Sequence, residues 1–135
     1  MSDKAFLDTN ILIYAFAQGD PKGAIAEGLL AEGGTISVQV LNEFVNVSRR
    51  KLRLDWEQID ERIALVKSLL EPVAPLTVDV HDHARALARE HQFSFFDALI
   101  VASALAAGAP VLLSEDMQHS RVISGLRICN PFVRS

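Results

Sequence analysis

The sequence predicts an α/β fold: a three-layer α/β/α sandwich with a central, mainly parallel sheet of 4–5 short strands. Three observations carry this expectation. Short apolar runs such as "KAFLD", "TISV" and "VLLS" are strand-sized and too brief for helices. Longer segments with apolar residues at helical spacing separate them. Strands that alternate with helices in this way need crossover connections, which place helices on both faces of a parallel sheet.

Taken in order, residues 4–8 form the first strand and 11–16 a short apolar helix. Asp8 or Asn10 is placed to cap that helix. "GDP" at 19–21 marks a turn, and Lys22 to Glu32 reads as a helix closed by Gly33 and Gly34. A second strand at 35–38 leads into a helix over 39–51, with Val40, Leu41, Phe44, Val45 and Val47 on its apolar face. Asp55 caps the next helix, Trp56 to Leu70, in which Ile59, Ile63, Val66 and Leu70 recur at helical spacing. "PVAPL" at 72–76 is a strand between prolines. Thr77 caps a helix to about His91, and Ser94 opens another that ends at "AGAP". Strands at 111–114 and 126–130 complete the order.

No repeat, low-complexity tract or Gly/Ser linker divides the 135 residues, so residues 1–135 read as a single domain. The balance of 13 basic against 17 acidic residues argues mildly against a nucleic-acid binder, although local patches matter more than net charge. The one cysteine, Cys129, excludes an internal disulfide and a Cys-based zinc cluster, and reads as a small residue near a C-terminal strand. "MSDKAFLDTN" has no basic region followed by a long apolar core, and the longest apolar run, Ala98 to Leu113, is broken by Gly108 and Pro110. A cytoplasmic location and no membrane association are expected.

In parallel sheets, functional sites lie beyond the carboxyl ends of the strands. Asp8 ends the first strand, and Asp116 follows "VLLS" with only Glu115 between. Glu43 lies about a turn into the helix after the second strand, and Asp97 in the first turn of the helix opened by Ser94. Each acid also has a purely structural reading. Asp8 can be a cap, Ser94 and Asp97 fit a capping pattern, Glu43 can be a solvated helix residue, and Asp116 can start a turn, with Glu115 the important acid of that pair. If the four converge, their repulsion must be neutralised, and an all-oxygen site without clustered His or Cys suits Mg²⁺ or Mn²⁺. The four histidines do not compete for this role: His81 and His83 point to different helix faces, and His91 and His119 are isolated.

The segments "FLDTNILIYAF", "SVQVLNEFVNV", "FSFFDALIVASAL" and "VLLSEDMQH" together resemble the PIN domain, and in particular the VapC-like toxins of toxin–antitoxin pairs. The resemblance covers almost the whole chain. It implies a PIN-like fold and a Mg²⁺- or Mn²⁺-dependent endoribonuclease in which Asp8, Glu43, Asp97 and Asp116 are the metal-binding and catalytic acids. Asn10 and Ser114 would be polar supports, since family members have a small hydroxyl residue before the last acid; Ser here rather than Thr is a minor departure. The implied reaction is in-line hydrolysis of an RNA phosphodiester to 5′-phosphate and 3′-hydroxyl ends. The implied partners are RNA, a cognate antitoxin, and a second toxin copy in a homodimer.

For RNA, the run "RRKLR" supplies Arg49, Arg50, Lys51 and Arg53, with Arg50 seven residues after Glu43 and so on the same helix face. These cations can hold flanking phosphates, or simply favour a helix C-terminus. Arg85 and Arg89 could extend the patch. For the antitoxin, a basic segment fits a pocket of carboxylates. The apolar residues Ile25, Leu29 and Leu30 of one helix, and Val40, Phe44 and Val47 of another, either line a groove for a partner helix or are core. Two rival readings remain: a non-catalytic protein-binding module with an acidic pocket, and a metal-dependent phosphatase of the haloacid-dehalogenase type. The phosphatase needs a second acid where Asn10 stands.

Overall fold

The computed structural model describes residues 4–133. The elements run β1 (Phe6–Leu7), α1 (Thr9–Ala15), α2 (Pro21–Glu32), β2 (Ile36–Ser37), α3 (Val38–Arg50), α4 (Trp56–Leu69), β3 (Val73–Ala74), α5 (Val78–His91), α6 (Phe95–Ala106), β4 (Val111–Leu113), β5 (Val122–Ile123) and β6 (Leu126–Cys129). The central sheet has four strands in the order β1-β4-β6-β5, parallel except for the β5–β6 pair. β2 and β3 form a second, parallel ladder, joined to β1 by a bridge between Phe6 and Thr35. The three-layer α/β/α arrangement is as expected. The sequence reading lacked β5, which forms a hairpin with β6.

Local chemistry fixes the helix starts. Ser37, Asp55, Thr77 and Ser94 each accept a backbone N–H of the first turn, the last three at the caps expected from the sequence. α1 starts at Thr9, two residues earlier than expected, because Asp8 and not Asn10 caps it. After α2 the chain must return to β1 within a few residues. Gly34 permits this, since a Cβ there would stand 2.9 Å from the Ala5 carbonyl oxygen.

The core joins both layers. Phe6, Leu7, Ile36, Leu112 and Ile128 come from strands, Ile11 and Leu12 from α1, and Val40 and Phe44 from α3. α6 is the most deeply placed helix: every residue from Ala98 to Ala104 is buried. Its alanines let neighbouring helices approach, so Asp97 is mounted at the start of a rigid, central element.

Candidate active site

The register of two strands creates the first contact. β1 and β4 are parallel neighbours, with Leu7 opposite Leu113. The next residues, Asp8 and Ser114, therefore stand side by side at the carboxyl end of the sheet, and the Asp8 N–H donates to the Leu113 carbonyl at 2.9 Å. Ser114 Oγ donates to Asp8 Oδ2 at 2.6 Å, and Thr9 N donates to Asp8 Oδ1 at 2.7 Å. Asp8 is only 4% exposed. Burial pushes its pKa up to about 6; the bonds from Ser114 and Thr9 oppose this rise, and the charges of Asp97 and Glu43 add to it.

The other acids arrive from separate elements. Glu43 on α3 accepts Thr9 Oγ1 at 3.1 Å and Gln39 Nε2 at 3.0 Å, which ties α3 to the start of α1. Asp97 follows its cap, Ser94, and its pKa is raised by burial and by the charge of Asp116, against the effect of Ser94. Asp116 accepts Asn10 Nδ2 at 2.6 Å, and its own N–H donates to Ser114 Oγ at 3.3 Å. The structure thus brings together Asp8, Glu43, Asp97 and Asp116 as electrostatic neighbours, with Asn10 and Ser114 bonded to two of them. Capping and convergence hold simultaneously for Asp8, since one oxygen caps and the other faces Ser114.

Glu115 belongs to a different group. It is ion-paired with Lys22 and accepts Tyr14 Oη at 2.7 Å. Lys22 also lies 5.5 Å from the Phe132 ring centroid. Burial acts to raise the Glu115 pKa, but the bonds from Lys22 and Tyr14 outweigh it and the net shift is downward. Sequence reasoning missed this link between α1, α2 and the segment carrying Asp116, for Lys22 and Glu115 lie 93 residues apart. It also missed Thr9 and Gln39, although Gln39 precedes Glu43 by the four residues that bring helical side chains together.

The donor set suits a hard divalent cation. The four acids offer only oxygen, and none of the ion pairs among the described residues involves them. As the side chains stand, no three His, Cys, Asp or Glu among the described residues form a group that could hold a metal ion. A hard divalent cation can bind through as few as one or two carboxylates and keep its remaining waters, so fewer than three of these acids would suffice to hold one. Three of the four histidines have other contacts: His81 packs on Phe95, His91 on Phe93, and His119 Nδ1 accepts the Asn130 N–H.

The basic run divides. Arg49 donates to the Leu54 carbonyl at 3.0 Å and stacks 4.9 Å from the Trp56 ring centroid, which fastens the α3–α4 turn. Arg53 has φ 54°, within that turn. Arg50 and Lys51 instead line a surface cavity with Asn46 and Val47. Arg85 is ion-paired with Asp82.

The PIN-domain family model matches residues 5–123. The chain belongs to the PIN-domain family. This PIN domain is similar in structure to a toxin–antitoxin complex from Klebsiella pneumoniae, with a TM-score of 0.69, 27% identity, and coverage of 95% of this chain and 98% of that one. It is also similar to VapBC2 from Rickettsia felis bound to a DNA fragment from their promoter, with a TM-score of 0.65, 25% identity, and coverage of 92% and 96%. VapC20 of Mycobacterium tuberculosis, a sarcin–ricin loop cleaving toxin, shares the fold at a TM-score of 0.68 and 22% identity over 83% of this chain and 91% of that one. No curated protein sequence matches the chain. Motifs and fold agree on a VapC-like PIN domain.

Proposed function

We propose that this PIN domain is a Mg²⁺- or Mn²⁺-dependent endoribonuclease and the toxin of a toxin–antitoxin pair. The observation that carries the reading is the gathering of Asp8, Glu43, Asp97 and Asp116 at one sheet edge, where none of the ion pairs among the described residues involves them. A bound divalent ion supplies a more acidic water and stabilises charge on a phosphodiester oxygen. The chain's own residues provide orientation: Ser114 and Thr9 fix the Asp8 carboxylate, Gln39 and Thr9 fix Glu43, and Asn10 fixes Asp116. One of these carboxylates accepts the proton of the attacking water, and the RNA is left with 5′-phosphate and 3′-hydroxyl ends. Labelled single-stranded RNA should be cut with Mg²⁺ or Mn²⁺ and remain whole with chelator. Undiminished cleavage in chelator, or none with either ion, overturns the reading.

Arg50 and Lys51 are placed to hold the flanking backbone. Replacing both with Ala should weaken RNA binding and reduce its salt slope by about two, one for each lost phosphate contact. Arg49→Ala should mainly lower thermal stability, because Arg49 is committed to Leu54 and Trp56. An unchanged salt slope in the double variant would remove these two cations from the RNA interface.

Val40 and Phe44 of α3 are core, so the antitoxin groove is proposed on other helices. A cavity of about 330 Å³ between α1, α2 and α4 is lined by Phe16, Leu30, Ala31, Leu65 and Leu69, with Glu27 among its lining residues. It accommodates apolar side chains of a partner helix. The toxin–antitoxin complexes among the similar structures support such a partner. A second toxin copy is proposed on the same family likeness.

A further inference from the structure

Phe96 immediately precedes Asp97, yet its side chain is 60% exposed. That leaves the ring open to solvent on the side where it shares a cavity with Glu43. The ring lines a cavity of about 370 Å³ together with Gln39, Asn42, Glu43 and Asn46. It is not loosely held: Phe95 lies 6.0 Å away, ring centroid to centroid, and Phe95 in turn packs edge-on against His81 at 5.2 Å. Asn46 is shared with the adjacent cavity, which Arg50 and Lys51 line. Positions 42, 43, 46 and 50 fall on one side of α3, which presents the Asn42 amide, the Glu43 acid, the Asn46 amide and the Arg50 cation in that order. The stripe from Glu43 to Arg50 spans roughly 10 Å along the helix axis.

We propose that Phe96 is a stacking platform for an unpaired RNA base next to the scissile phosphate, with the Asn42 and Asn46 amides reaching that base's edge. The proposal rests on the ribonuclease reading above and specifies its substrate as single-stranded RNA. A base inside a duplex already has both faces stacked, whereas an unpaired base can be splayed onto an aromatic ring. Primary amides carry both donors and an acceptor, which suits the mixed polar edge of a base. The ring shares its cavity with Glu43, and the adjoining cavity holds Arg50 and Lys51, so a phosphate at the acids, a base on the ring and the next phosphate at the two cations are neighbours, as in a polynucleotide.

The test uses the full chain with Mn²⁺ and single-stranded RNA in which single uridines are replaced by 5-iodouridine. Irradiation should form an adduct that mass spectrometry maps to Phe96, whether or not the RNA is cut. In parallel, kcat/KM is measured for RNA and for bis(4-nitrophenyl) phosphate, a diester without a base. Phe96→Ala should lower the ratio of the two about tenfold or more, through KM for RNA, and Phe96→Trp should restore it. No adduct at Phe96, or an unchanged ratio, overturns the platform. So does a Phe96→Ala variant that binds RNA normally but turns a dimer into a monomer, since a second copy then covers the ring. An adduct at Phe96 in a protein that cuts neither substrate overturns the ribonuclease reading and leaves the platform as an RNA-binding site.

Discussion

Asp97→Asn is expected to lower RNA cleavage by roughly a hundred- to a thousandfold, the range found when one preorganised electrostatic group is removed from a site. The fold should survive. Ser94 caps α6 through the backbone N–H of residue 97, which the substitution leaves in place. The helix itself is anchored by its buried run from Ala98 to Ala104. Burial and the charge of Asp116 both disfavour the ionised form of Asp97, so a neutral amide of the same shape relieves repulsion. The metal-free variant should melt at the same temperature as the wild type or slightly above it. Cleavage kinetics and thermal melts on one preparation check both halves. A well-folded variant with near-normal activity would remove Asp97 from the reaction.

The legible part of this molecule was the part written in local patterns. Caps at Asp55, Thr77 and Ser94 were readable because each is one residue acting on the next few. Asp8 and Asp116 could be placed at one sheet edge because parallel strands all end on the same side. Glu43 and Asp97 followed from their position early in helices that leave that edge. The missed parts depend on long-range partners or on very short elements. β5 has only two residues, and its pairing relies on Ser124 and Gly125 both adopting positive φ, 49° and 86°. A serine gives little advance notice of that conformation. The split within "RRKLR" was equally hidden, because Arg49 is committed by Trp56, seven residues away and beyond a turn. The contact of Lys22 with Glu115 has no local signature at all.

Asp8→Asn is expected to change both the pH dependence of stability and its dependence on metal. Burial raises the Asp8 pKa to about 6 in the folded chain, against about 3.9 for an unperturbed aspartate. A carboxyl group whose pKa is raised by folding contributes most below its unfolded pKa, and that contribution is lost as pH rises through the folded value. Metal-free wild type should therefore lose stability between about pH 4 and just above pH 6, by on the order of 3 kcal/mol from this group. That corresponds to roughly 10 °C in Tm for a chain of this size. Asp97, also shifted upward, adds to the loss in the same direction. In Asp8→Asn most of the slope should vanish, because the amide carries no proton to lose, while its oxygen can still accept the Thr9 N–H. Metal reverses the ranking. Mn²⁺ at a hundred times its dissociation constant should stabilise the wild type by about 2.7 kcal/mol near pH 7. As pH falls below about 6, protons on Asp8 should compete with the ion and the stabilisation should shrink. The variant should gain much less from Mn²⁺ at any pH. Melting curves of both proteins from pH 4 to 8, with Mn²⁺ and with chelator, supply the comparison. Parallel pH profiles without metal would mean that burial does not hold a proton on Asp8, and an equal Mn²⁺ shift in both proteins would place the ion elsewhere.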